Sequence, residues 1–229
     1  MMKKYAILSM LVGATFLGGC VDAPKYNTKQ QAFPNLYKEH PLSVLVVPAI
    51  NRSTAADAPE LYSTTIAQPL AEAGYYVMPL PLTNMVLQGE GVTDGAQLEN
   101  VDATKFHQLM GADAVLFVTI NQWDTNYYVT GGNVTVGAAF KLVSATTGEE
   151  LWNYNNVVVY DTSGGSNAGG LLGAIIATAL STAMTDYVPV ARMVNGTVIR
   201  TLPVGKYNTR FGKDGTDQFV EKPPVKSGS

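Results

Sequence analysis

The residue of this chain with the clearest chemical potential is its single cysteine, Cys20. A thiol with no second cysteine in the chain cannot form an internal disulfide, so it is free for modification. Lys3 and Lys4 give a basic start, and residues 5–17 form an uncharged, mostly apolar run that ends shortly before the cysteine. That run of about 13 residues has signal-peptide length and is too short to span a bilayer. The pattern predicts an exported precursor that is processed near Cys20.

The segment Leu17-Gly18-Gly19-Cys20 resembles the lipobox of bacterial lipoprotein precursors, which has leucine three places before the cysteine and small residues directly before it. The resemblance implies a diacylglycerol thioether on Cys20, cleavage of residues 1–19 as a signal peptide, and acylation of the new amine. Two or more acyl chains, at about 0.8 kcal/mol per buried CH₂, anchor a protein stably to a membrane. The alternative is an ordinary secretory signal with a chance cysteine.

The residues after Cys20 predict where an anchored protein would lie. In the lipoprotein sorting rule of enteric bacteria, aspartate directly after the cysteine retains a lipoprotein in the inner membrane. That position here is Val21, with Asp22 one place later, so the rule implies delivery to the periplasmic face of the outer membrane. Residues 20–41 are polar, aperiodic and interrupted by proline, which predicts a flexible tether that begins at the lipidated cysteine.

Composition and charge exclude some classes of function. Removing residues 1–19, which hold two lysines and no acid, changes the formal charge from −3 to −5. A nucleic-acid-binding domain requires a basic face, so the acidic balance argues against nucleic acid as a partner. The hydrophobic fraction of 46% is sufficient for a packed core. The remaining chain of roughly 210 residues suits one large domain or two small ones.

Residue types needed for catalysis or metal binding form no recognisable pattern. The two histidines are His40, beside Pro41, and His107, beside Phe106, and no Gly-x-Ser-x-Gly motif marks a hydrolase nucleophile. Neither a His-x-x-x-His nor a Cys-x-x-Cys spacing is present. The glycine-rich residues 164–173 lack the Gly-Lys-Ser/Thr ending of a phosphate-binding loop. The sequence therefore predicts no catalytic residue, no metal site and no cofactor.

Residues 162–185 contain no charged side chain. They include Gly169 and Gly173, whose Gly-x-x-x-Gly spacing favours close helix packing in membranes. The densely apolar part covers about 12 residues, whereas a membrane span requires about 20. Three alternatives stay open: a helix on the protein's own sheet, a contact between protomers, or insertion into a membrane. Gly169 and Gly173 are the candidates for self-association, and a homo-oligomer is expected.

Periodicity predicts an α/β domain over residues 42–204. Three buried strands are predicted at residues 42–48, 75–79 and 114–120. The helical segments between them imply right-handed crossovers and a parallel start to the sheet. Two alternating runs, at residues 133–143 and 150–160, flank a Thr-Thr-Gly turn and predict an antiparallel hairpin. The predicted fold is therefore a mixed sheet covered by helices.

Helix and terminus signals complete the prediction. Pro69 falls within the first predicted helix and predicts a kink or a break there. A later helix, residues 103–110, is predicted to face inward with Phe106, Leu109 and Met110. From residue 205 onward the sequence is polar and rich in glycine and proline, which predicts a disordered tail over residues 205–229.

Four segments follow the lipobox in a fixed order, at residues 43–51, 69–79, 109–117 and 147–152. Their order resembles a family of bacterial outer-membrane lipoproteins of unknown function. That family is similar in its core to the curli-secretion lipoprotein and to the amino-terminal domain of TolB. The resemblance covers roughly residues 40–200. It implies an α/β fold, a place in the cell envelope and self-assembly, and it supplies no catalytic residues.

These observations predict a non-enzymatic, lipid-anchored periplasmic accessory lipoprotein that acts in envelope protein assembly. Its expected partners are the membrane, through lipid on Cys20, other envelope proteins and copies of itself. The alternative is a subunit of a curli-type secretion channel or pore, for which the uncharged residues 162–185 are the discriminating feature. A periplasmic hydrolase would require a polar constellation in a pocket, which the sequence does not show.

Overall fold

The computed structural model describes residues 26–128, 131–161 and 187–220. Its strands are β1 (Tyr26–Thr28), β2 (Ser43–Val46), β3 (Ile50–Asn51), β4 (Tyr76–Val77), β5 (Ala114–Tyr128), β6 (Gly131–Ser144), β7 (Glu150–Asp161) and β8 (Gln218–Val220). Its helices are α1 (Lys29–Ala32), α2 (Pro34–Glu39), α3 (Ala58–Glu72), α4 (Leu80–Gly89), α5 (Thr104–Met110) and α6 (Tyr187–Ile199), with a 3-10 helix at Gly95–Leu98. No helix within these three ranges has the length and apolar character needed to cross a membrane.

Six strands form one mixed sheet in the order β4-β2-β5-β6-β7, and β3 also pairs with β5. Strand β2 is parallel to both β4 and β5, whereas β5, β6 and β7 are antiparallel neighbours. Gly148, with φ of 75°, lies in the turn between β6 and β7, where its left-handed backbone costs little. The predicted fold class, a parallel start followed by an antiparallel hairpin, is confirmed.

The central strand β5 supplies two hydrophobic cores. One face packs with α3 and α6 and carries Ala114, Leu116, Val118 and Ile120. The other face begins with Val115, which packs in a second core with Leu87 of α4 and Phe106 of α5. Successive side chains of a strand point to opposite faces, so a nearly continuous apolar run is what a strand covered on both sides requires.

A buried polar network joins α3 to α6. The Tyr62 hydroxyl donates to Asn195 Oδ1 at 2.6 Å, and Asn195 Nδ2 donates to Thr65 Oγ1 at 2.8 Å. All three residues are essentially inaccessible to solvent. Burying polar groups is favourable only when they are hydrogen-bonded, so shifting one helix along the other would leave these atoms unpaired. The network therefore fixes how α3 and α6 are aligned.

A kink or a break was predicted at Pro69, and the break does not occur, because α3 continues past it to Glu72. Proline removes one backbone donor from the helix. The helical hydrogen bonds resume directly afterwards, since the Ala73 N–H donates to the Pro69 carbonyl at 2.9 Å. Pro69 is also buried. The loss of one bond near the helix end is thus compatible with a continuous helix.

The prediction that Leu109 faces inward is wrong, because this side chain is 41% exposed. Helix α5 has only seven residues, and one stripe of it contacts the second core. That stripe contains Ala103, Phe106 and Met110, which are spaced by three and four residues. Leu109 falls beside the stripe, and a short helix has no second buried face for it.

Two stretches predicted to be unstructured contain regular structure. The predicted tether includes β1, α1 and α2, and the predicted tail includes β8. Strands β1 and β8 pair antiparallel, with Tyr26 opposite Val220. Phe33 and Phe219 pack edge to face, with ring centroids 4.9 Å apart. Periodicity could not reveal this pairing, because each stretch is short and its partner lies at the opposite end of the chain.

Replacing Leu116 by alanine should lower the free energy of unfolding by about 2–5 kcal/mol, because the substitution opens a cavity between β5 and its covering helices. Leu116 is fully buried, whereas Leu82 on α4 is 53% exposed. The matched control Leu82→Ala should therefore change stability by less than about 0.5 kcal/mol. Urea denaturation followed by tryptophan fluorescence measures both. Equal effects of the two substitutions would contradict the assignment of β5 as the central strand.

Candidate functional site

Three residues were predicted from the sequence to be functional, namely Cys20, Gly169 and Gly173. All three lie outside the described residues. Lipidation of Cys20 and self-association through the two glycines therefore stay predictions. The structure does describe the chain that follows each of them. Tyr26 begins β1 six positions after the cysteine, and α6 begins at Tyr187, shortly after the uncharged segment.

Both histidines contact other residues of the protein. His107 is exposed, and its Nδ1 lies 2.7 Å from the carbonyl oxygen of Ala112, just after α5. His40 packs edge to face against Tyr37 and Phe211, with centroid distances of 6.5 and 5.1 Å. Across residues 26–128, 131–161 and 187–220, no group of three or more His, Cys, Asp and Glu side chains could hold a metal ion.

Lys29 is a buried charge that the sequence did not reveal. It is the first residue of α1 and is only 7% exposed. Its Nζ donates to the carbonyl oxygens of Arg200 at 2.8 Å and Leu202 at 2.9 Å. These carbonyls follow the end of α6, where C=O groups lack helical partners and attract cations. Lys29 thus attaches the amino-terminal strap, which we define as residues 26–39, to α6.

Carboxylates near the carboxyl terminus balance this ammonium. Burial lowers the pKa of Lys29, against the opposing charges of Asp214 and Asp217. Asp214 is 1% exposed, and its Oδ2 accepts a hydrogen bond from the Val204 backbone N–H at 2.8 Å. Asp217 pairs with Arg210 at 2.7 Å. Residues that the sequence assigned to a disordered tail therefore supply counter-charges for the strap.

Two tyrosines adjoin the same cluster. The Tyr75 hydroxyl donates to the Pro203 carbonyl at 2.7 Å, and burial raises the pKa of Tyr75. Burial, together with the neighbouring Asp214 charge, also raises the pKa of Tyr37. Neither the Tyr37 hydroxyl nor Asp214 Oδ1 has a well-aligned hydrogen-bond partner among the described residues. We call Lys29, Asp214, Tyr37 and Tyr75 the terminal clasp, because they join the two ends of the folded chain.

An open groove runs beside the edge strand β4. It measures about 680 Å³ and lies between α3 and the start of α4. Helix α3 contributes the small side chains of Ser63, Ala67 and Ala71, and residues 77–81 line the opposite side. A smaller pocket of about 180 Å³ continues it at the start of α3. The volume of the groove is within the range of known ligand sites.

The groove was not predicted from the sequence, although one signal for it is present there. Residues 53–104, which form α3, β4 and α4, contain seven acidic residues and no lysine or arginine. Such a long stretch without a cation marks a surface of one charge sign. The shape of the groove depends on how α3 and residues 77–84 are placed beside β4, which could not be read from the sequence.

Three comparisons relate the chain to known proteins. The family described as “Putative lipoprotein GNA1162-like” matches residues 32–211. The relative named “Putative lipoprotein NMB1124/NMB1162”, from Neisseria meningitidis serogroup B, is 34% identical over 149 residues, which is 65% of this chain and 68% of the relative.

Two solved structures are also similar to this chain. The crystal structure of lipoprotein GNA1162 from Neisseria meningitidis is 36% identical and has a TM-score of 0.51, covering 62% of this chain and 96% of that chain. A PelC dodecamer from Paraburkholderia phytofirmans is 16% identical with a TM-score of 0.48, covering 80% of this chain and 97% of that chain.

Replacing Lys29 by alanine should lower the free energy of unfolding by about 2–3 kcal/mol. The substitution removes a charged donor from two carbonyls and leaves the Asp214 carboxylate without its ammonium neighbour. Lys38→Ala is the matched control, because Lys38 is an exposed lysine of the same strap. It should shift stability by less than about 0.5 kcal/mol. Chemical denaturation measures both variants, and a Lys29→Ala protein as stable as the parent would show that the clasp contributes nothing.

Raising the pH above 10 should destabilise the protein. Burial raises the pKa of Tyr62 and Tyr75, so the native state retains protons that the unfolded state releases above about pH 10. The unfolded state then binds fewer protons, and the free energy of unfolding falls by about 1.4 kcal/mol per pH unit for each tyrosine. Lys29, whose pKa is lowered, opposes this trend only up to its usual value of 10.5.

Urea denaturation between pH 9 and 11.5 measures this dependence. Tyr62→Phe should remove the share of one tyrosine from the slope, whatever its effect on stability at neutral pH. If that variant shows the parent's slope, Tyr62 does not keep its proton in the native state.

Proposed function

The chain belongs to the GNA1162-like family of lipoproteins, and from this premise we propose that it is a lipid-anchored accessory protein of the cell envelope. In this proposal lipid on Cys20 holds it at the periplasmic face of the outer membrane, where it assists the assembly of other envelope proteins without catalysis. The family resemblance inferred from the sequence motifs is confirmed.

One observation carries the proposal: the folded domain starts very soon after the cysteine. The described part of the chain starts with β1 at Tyr26, so at most residues 21–25 separate the folded domain from Cys20. Fully extended, that link reaches about 20 Å. A long tether would let the domain work far from the membrane, whereas this link keeps the strap close to the lipid surface. The geometry therefore supports a protein that acts on neighbours at that membrane.

The chemistry of the amino terminus supports the same proposal. Two or more acyl chains on Cys20 give stable anchoring. Val21, directly after the cysteine, is compatible with outer-membrane sorting in bacteria that follow the aspartate rule. The channel-subunit alternative depended on residues 162–185, which lie outside the described residues. Within the described part of the chain nothing favours that alternative.

Replacing Cys20 by serine should abolish fatty-acid labelling and release the protein from membranes, because serine cannot form the thioether. The matched control is Val21→Ala, which keeps the cysteine and should remain lipidated and membrane-bound. Labelling with a fatty-acid analogue and fractionation after a high-salt wash measure both properties. A serine variant that stays with the membrane after the wash would contradict anchoring through Cys20 alone.

A further inference from the structure

We propose that the groove beside β4 binds an extended segment of a partner protein whose middle is apolar and whose two ends carry lysine or arginine. This inference names the partner chemistry for the accessory role proposed above and rests on that role. It depends on exposed apolar side chains, a wall of small residues, a free backbone edge and the distribution of charge.

Large apolar side chains are exposed next to the groove. Tyr76 on β4 is 52% exposed, and Leu82 and Met85 on α4 are 53% and 66% exposed. Each is the sequence neighbour of a residue that lines the groove. Tyr207, 66% exposed, lies at the same edge, because its backbone N–H donates to the carbonyl of Gly74. Exposed large apolar side chains near one groove are the kind of surface that binding partners cover.

The side of α3 that lines the groove carries small side chains, so a bound segment could approach the helix closely. Ser63, Ala67 and Ala71 are spaced by four residues and therefore form one stripe along the helix. Ala71 is exposed and Ala67 is half-buried. Because these side chains are short, an occupant could contact the helix without displacing any of them. The core-facing side of α3 carries Tyr62, Ile66 and Leu70, so the stripe is not needed for the protein's own core.

Strand β4 offers unpaired backbone groups to such an occupant. It bonds to β2 through the N–H groups of Tyr76 and Met78, each at 3.0 Å from a carbonyl oxygen. Backbone groups of successive strand residues point to opposite sides, so the N–H and C=O of Val77 point away from β2. Strand β4 is the last strand of the described sheet on this side, so no strand of that sheet pairs with these two groups. An extended peptide can add to a sheet edge through such groups.

The acidic residues near the groove favour a bound segment that carries basic residues. The charged side chains of residues 53–104 are all acidic, and two of them lie near the ends of α3. Glu60 lines the smaller pocket that continues the groove, and Glu72 accepts a hydrogen bond from Gln68, a groove residue, at 2.8 Å. Complementary charge steers association and fixes register. Basic residues at the two ends of the bound segment would meet these carboxylates.

The separation of the two glutamates sets the spacing of the basic residues. Glu60 and Glu72 are twelve positions apart on one helix, which corresponds to about 18 Å along its axis and about a third of a turn around it. An extended chain covers about 20 Å in six residues. A segment with basic residues at positions i and i+6, and apolar residues between them, therefore matches the groove.

The test uses a fluorescein-labelled probe peptide, Lys-Val-Thr-Val-Thr-Val-Lys, and the full chain expressed with its own signal peptide and purified in detergent. Fluorescence anisotropy should show saturable binding to the parent. Ala71→Trp, which fills the groove from an exposed position, should weaken binding about tenfold or more. Ala96→Trp is the matched control, because Ala96 is exposed but outside the groove, and it should bind like the parent.

Two further binding measurements test the contribution of the acidic residues and of the backbone of β4. A peptide with glutamate at both ends should bind the parent more weakly than the lysine probe, and the double variant Glu60→Lys with Glu72→Lys should reverse that preference. N-methylation of alternate probe residues should block binding in one of the two alternation sets and not in the other, because only one edge of the peptide faces β4.

Several results would overturn the proposal. They are equal binding of the lysine and glutamate peptides, binding that Ala71→Trp leaves unchanged, and equal effects of the two N-methylated sets. A protein that self-associates, dissociates on Ala71→Trp and does not bind the probe would show that a second copy fills the groove. Anchoring is tested separately by Cys20→Ser, since the groove does not require lipid. Peptide binding without anchoring would overturn the proposed location, and anchoring without peptide binding would overturn the groove.

Discussion

A buried ammonium is stable only where oxygen atoms surround it, and this constraint at Lys29 determines where both ends of the folded chain lie. The carbonyls that it requires directly follow α6, and the carboxylate that balances it most strongly is Asp214. The strap, α6 and the carboxyl-terminal residues are thereby held as one unit. Because α6 is aligned with α3 through Asn195, the same unit also covers one face of the sheet. The terminal clasp is thus coupled to the main core.

The parts of this fold that could be predicted are those specified by local pattern. The apolar run at β5 and the alternating β6 and β7 follow directly from side-chain periodicity. The strap could not be predicted, because a lysine in a polar segment reads as exposed unless its distant partners are known. Pro69 and Leu109 show a related limit, since packing at the end of α3 and the shortness of α5 overrode the local signals. The family match over residues 32–211 extends into both ends that local pattern missed.

The net charge of −3 conceals a separation of charge along the chain. All charged residues within 53–104 are acidic. Residues 187–220, by contrast, contain five lysine and arginine residues and two aspartates. The groove is formed mainly by residues 53–104, and the clasp combines Tyr75 of that part with the strap and with Asp214 of the carboxyl-terminal part. The sheet edge beside the groove is short, since β4 has two residues and Pro79 follows, and short edges limit uncontrolled strand pairing. A selective contact at this edge therefore depends on side chains and charge as well as on backbone groups.

The strap also has a mechanical consequence for a protein held by lipid at Cys20. Tension applied there passes through Tyr26 and β1 into α1, where Lys29 is the first side chain bonded to α6. The strap also places Phe33 and Leu36 in the main core, so tension at Cys20 would be transmitted to that core through the strap. Release of residues 26–39 would add about 45 Å of extended chain between the membrane and the sheet. The domain would move away from the bilayer by that distance, and the main core would lose Phe33 and Leu36.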